Sequence, residues 1–86
     1  MTIQQVMAQR QRLFRAAGLL ALEYGRRGRT PDGWTIAYHQ EVIATEAIEQ
    51  AENMVATGAM LWIHAASMIA EKLEENITGL QKVNTP

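Results

Sequence analysis

Between Glu52 and Glu71 the chain carries no formal charge, and within Met54 to Ala70 only Thr57, His64 and Ser67 are polar. At helical spacing those three fall on one narrow stripe, continued by Glu71. A helix here therefore needs burial over most of its circumference. Left bare in water it would aggregate, so either a partner chain covers it or the polypeptide folds back near Gly58 and covers it itself.

The pattern around this stretch favours the first solution. From Trp34 onward, Ile36, Gln40, Ile43, Ala47, Ala51, Val55, Gly58, Trp62, Ala66, Ile69, Leu73, Ile77 and Leu80 follow one another in steps of three or four, the period of one helical face. The candidate break at 57–58 is followed at once by Ala59, Met60 and Leu61, which leaves no evident residues for a connection. The spacing predicts one long or kinked helix over 34–80, with a frayed tail over 81–86. An earlier helix is predicted over 2–25: Thr2 and Gln5 have capping-box spacing, and Ile3, Met7, Phe14, Ala17, Ala21 and Tyr24 form an apolar row broken at Arg10. Gly25, Gly28, Gly33 and Pro31 mark the loop over 26–33.

These elements make a single all-α domain, a helical hairpin with an uneven second arm. A turn near residue 30 sets Tyr24 against Ile36, Phe14 against Ala47 and Met7 against Met54. Beyond residue 57 the second arm projects by roughly 30 Å, at 1.5 Å per helical residue. Dimerisation is expected to cover it, through Met54, Val55, Gly58, Ala59, Leu61, Trp62, Ala66, Ile69, Leu73 and Ile77. A three-helix bundle broken at Gly58 is the alternative.

Small size points the same way, since 86 residues without cysteine have no disulfide to reinforce a modest core. The absence of cysteine and of a signal-peptide pattern at the N-terminus also predicts a cytoplasmic location.

Charge is unevenly laid out. Residues 1–30 hold six arginines against Glu23 alone, whereas 31–86 hold two lysines against eight acids, and the net charge is -1. Arg26, Arg27 and Arg29 in the glycine-rich loop are candidate phosphate contacts, which supports an alternative role as a nucleic-acid-binding accessory protein. Against it stands the slightly acidic whole. The hairpin register offers an internal use for the charges: Arg10, interrupting the apolar row, is predicted to pair with Glu49 or Glu52, and Arg10→Ala to destabilise more than Arg12→Ala.

Little supports chemistry. Ser67, Asp32, His39 and His64 are the whole stock for a serine triad, and His64 with Ser67 reads as a polar helix edge. The helical metal-ligand spacings His-x-x-x-His and Glu-x-x-His are missing, and no cofactor motif occurs. Met54 to Ala70 reaches only the lower limit of a membrane span and is flanked by acids. Trp34 is expected to cap the loop end of the hairpin. The sequence thus predicts a non-catalytic protein–protein interaction module, regulatory or assembly in role, acting as a homodimer on a larger protein partner.

Overall fold

A computed structural model describes residues 2–58 and 60–83 of the chain. Three helices take up most of them: α1 over Ile3–Arg26, α2 over Ile36–Ala56 and α3 over Trp62–Val83. The start of α1 is the predicted capping box. The Gln5 amide donates to Thr2 Oγ1 at 3.2 Å, and the Thr2 amide donates to Gln5 Oε1 at 3.0 Å. Thr35 caps α2 in the same manner, its hydroxyl oxygen accepting from the Tyr38 amide at 3.0 Å.

The expected continuous second helix is not formed. Gly58 has φ +75°, a left-handed conformation that no helix can propagate through. Its amide donates to the Val55 carbonyl at 3.0 Å, and the Thr57 hydroxyl donates to the Met54 carbonyl at 3.1 Å, so two carbonyls freed at the end of α2 are satisfied locally. Residues 57–61 make the connection, within the length helix–helix links usually have. The bundle broken at Gly58 is the observed arrangement; the unbroken spacing through Val55, Gly58 and Trp62 spans two helices and a turn.

Contacts fix the directions of the helices. Gly25 lies against Ile36, and Leu13 shares a cluster with Ala47 and Ala51, so α1 and α2 are antiparallel. Arg12 reaches Ser67 and Glu74, and Arg27 reaches Leu80, so α3 runs parallel to α1. The α1–α2 crossing is close at Gly18, where an added Cβ would come within 2.5 Å of the Gln40 amide nitrogen, which itself donates to the Phe14 carbonyl at 2.9 Å.

The core is built mainly of alanine. Leu13, Leu20, Ile69 and Ile77 are its only larger buried apolar side chains among the described residues; the rest are Ala16, Ala17, Ala21, Ala44, Ala47, Ala51, Ala65, Ala66 and Ala70. Single methyl groups let helices approach closely but remove little surface each. Partly buried Ile43, Ile48, Met54, Trp62 and Leu73 pack around this core, while several other large apolar side chains lie outside: Ile3 is 78% exposed, Met7 54%, Phe14 48% and Leu61 67%.

This arrangement overturns much of the expected dimer interface. Ala66, Ile69 and Ile77 are buried, and Leu73 is half-buried against both core clusters. The chain covers these positions itself, because the fold-back at Gly58 brings α3 onto α1 and α2. Met54 and Trp62 are half-buried, whereas Val55, Gly58 and Leu61 stay exposed. Ala59 lies outside the described residues. Phe14 and Met7, expected to face Ala47 and Met54 in the core, are turned outward, and Leu13, Ala16, Ala17 and Leu20 take the inner face of α1.

Candidate interaction surface

Ile3, Met7, Arg10 and Phe14 sit four, three and four residues apart, so they share one stripe of α1. Along the flank where α1 meets α2, this stripe borders two open hollows. One, of about 730 Å³, is lined by Arg10, Gln11, Phe14, Arg15, Gln40 and Ile48. The other, of about 420 Å³, is lined by Val6, Arg10, Glu52, Val55, Ala56 and Trp62. Arg10 belongs to both, so the hollows adjoin at this cation as one trough, whose lining mixes apolar Val6, Phe14, Ile48, Val55 and Trp62 with polar Gln11, Arg15, Gln40 and Glu52.

Arg10 makes no ion pair with Glu49 or Glu52 among the described residues, contrary to expectation. Its guanidinium instead lies 5.6 Å from the centroid of the Trp62 ring, within cation–π range. Glu52 lines the same hollow without reaching it. Beneath the arginine the Trp62 indole N–H is buried and meets no acceptor. Such a group costs free energy until something accepts from it.

The structural cation is Arg12. Its Nε and Nη2 donate to the two carboxylate oxygens of Glu74 at 3.2 and 2.8 Å, and Nη1 donates to Ser67 Oγ at 3.3 Å. That forked hydrogen bonding raises the Arg12 pKa and holds the Glu74 carboxyl below the ordinary glutamate value. It also engages Ser67, while His64 is exposed on α3, so the pair once considered for catalysis is not assembled.

The loop arginines are differently placed from one another. Buried Glu23 receives Arg26 Nη1 at 3.3 Å and lies 3.9 Å from Arg27 Nε, and Arg27 Nη2 donates to the Leu80 carbonyl. Arg27 is thus occupied in tying the end of α1 to the end of α3. Arg26 keeps most of its side chain in solvent, and Arg29 is exposed. Of the three candidate phosphate contacts, two face outward.

Trp34 sits where a cap should. Its ring meets Tyr38 edge-on at 4.9 Å and His39 edge-on at 5.5 Å, while His39 stacks on Tyr24 at 5.4 Å, closing the loop end of the α1–α2 pair. Next to this cap a cleft of about 360 Å³ runs between α2 and α3 over a floor that includes Leu20, Ile43 and Leu73, with Glu46, Gln50, Lys72 and Asn76 among its lining. Leu20 and Ile69 there are almost fully buried already, so an occupant would gain little apolar contact. The α1–α2 trough, with Phe14 and Val55 open to solvent, has more to gain.

No group of His, Asp or Glu among the described residues is arranged to hold a metal ion, and none of the described helices is long and apolar enough to cross a membrane. No protein-family model matches this sequence, and comparison with curated proteins and with solved structures returned no match.

Proposed function

We propose that this chain is a small non-catalytic protein-interaction module, regulatory or assembly in role, that works by burying its α1–α2 flank against another protein. The observation that carries the reading is an inversion: alanine fills the interior, while Ile3, Met7, Phe14, Val55 and Leu61 remain in solvent. Ile3, Met7 and Phe14 form one row on α1, with Val55 across the trough on α2, and exposed apolar surface grouped in this way is characteristic of a binding site.

Catalysis has less support, because the hollows are open and no nucleophile, base and orienting group converge in any of them. The nucleic-acid alternative rests on Arg26 and Arg29 once Arg27 is engaged with Glu23 and Leu80.

Replacing Phe14 by a photo-crosslinking phenylalanine analogue, with the same analogue at exposed Thr78 as control, tests the reading directly in the cells that produce the protein. Protein adducts are expected from position 14 and not from position 78. Equal yields from the two, or none from position 14, would remove the interaction reading.

A further inference from the structure

The trough has walls of opposite charge. Arg10 and Arg15 line it from α1. On α2, Glu41, Ile48, Glu52 and Val55 are seven, four and three residues apart and so share one stripe, of which Ile48, Glu52 and Val55 line the trough. None of these four charges forms an ion pair among the described residues. Among the described residues the arginines of α1 and its loop pair with Glu23 and Glu74 alone, so the opposed charges of the two halves of the sequence are left largely unused.

We infer that the occupant of this trough is a second copy of the same chain, docked about a two-fold axis so that the α1 wall of each copy faces the α2 wall of the other. The inference rests on the α1–α2 flank being a binding surface and adds what it binds. A two-fold interface requires one patch to be complementary to itself, each contact occurring twice. This patch meets the requirement: Arg10 and Arg15 line the α1 wall, Glu52 lines the α2 wall with Glu41 further along the same stripe at the edge of a neighbouring hollow, and Phe14, Ile48 and Val55 supply apolar surface among them. An axis running along the helices keeps α1 antiparallel to the opposing α2, the sense in which the two pack inside the chain. A helix from an unrelated protein would need acids and bases in the matching order, whereas a second copy supplies them.

The experiment is molecular mass against concentration by sedimentation equilibrium, on the wild type and on two charge-reversed variants, Arg10→Glu/Arg15→Glu and Glu41→Arg/Glu52→Arg. The wild type is expected to be a dimer at micromolar concentration. Each variant alone places like charges together twice and is expected to raise the dissociation constant about a hundredfold or more. An equimolar mixture restores opposite charge at both contacts, and native mass spectrometry should then find a dimer with one chain of each kind. Folding failure cannot imitate that recovery. Phe14→Ser provides a second arm, since this half-exposed ring is not needed inside the bundle, and it is expected to give monomers with unchanged helix content. A wild-type monomer at every concentration overturns the inference, and so does a dimer indifferent to the reversals and to Phe14→Ser. If the monomer still forms adducts with another protein through position 14, the interaction reading stands and only the second copy is removed.

Discussion

The Arg12 guanidinium spans from α1 to α3, and its three nitrogens are all used, two on Glu74 and one on Ser67. Arg10 has only the exposed face of Trp62. The partly exposed carboxylate pair and an exposed cation–π contact are each worth about 0.5–1 kcal/mol, and Arg12 adds its bond to Ser67, worth roughly another 0.5–1 kcal/mol. Arg12→Ala is therefore expected to lower the urea midpoint more than Arg10→Ala, the reverse of the order expected from sequence. Equal midpoints for the two would refute it. The same pair sets a pH dependence. Because folding lowers the Glu74 carboxyl, the stabilisation is complete above the ordinary glutamate pKa of about 4.3 and fades as pH falls through the lower folded value. Wild type and Glu74→Gln should then differ at neutral pH and converge in acid.

At the scale of elements, two glycines in similar surroundings should respond with opposite sign. An added Cβ meets nothing within 4 Å at either Gly58 or Gly79, so only backbone conformation distinguishes them. Gly58 ends α2 with positive φ, and Gly58→Ala is expected to cost roughly 1 kcal/mol. Gly79 lies within α3, and Gly79→Ala is expected to stabilise by about 0.5–1 kcal/mol. Thermal melting reads both, since 1 kcal/mol moves Tm by roughly 4–8 °C in a domain this small. A stabilised Gly58→Ala would mean that α2 and α3 can join into the long helix the spacing suggests.

Across the whole molecule the inversion of large and small side chains predicts where volume matters. Ala66→Leu forces extra methyl groups into a closed seam and is expected to cost about 1–3 kcal/mol. Phe14→Tyr, which keeps the half-covered ring and adds a hydroxyl on the outer stripe, should leave the stability of the isolated chain within about 0.5 kcal/mol. Chemical denaturation of both variants, at concentrations low enough to separate the copies, checks the contrast. A large loss from Phe14→Tyr under those conditions would place the ring edge in the core after all.

The helical class, the capping box at Thr2, a loop close to the expected 26–33 (27–35 in the structure) and the aromatic cap at Trp34 were legible in the residues, because capping, turn chemistry and short-range periodicity act between near neighbours in the chain. The uncharged run from Met54 to Ala70 announced a need for cover that the structure meets in part: Ala65, Ala66, Ile69 and Ala70 are buried, while Val55, Leu61 and Met68 stay exposed. Which surface provides the cover was settled only by the tertiary structure. Apolar steps of three and four fit a continuous helix and a helix–turn–helix equally well, and the left-handed φ at Gly58 is favourable only once α3 has α1 and α2 to pack against. On α1 two stripes compete, Ile3, Met7, Phe14 and Leu13, Ala16, Leu20. Arg10 within the first was the sign that it faces water, but the decision belonged to packing, since a seam of alanines admits a close neighbouring helix and a row of large side chains does not.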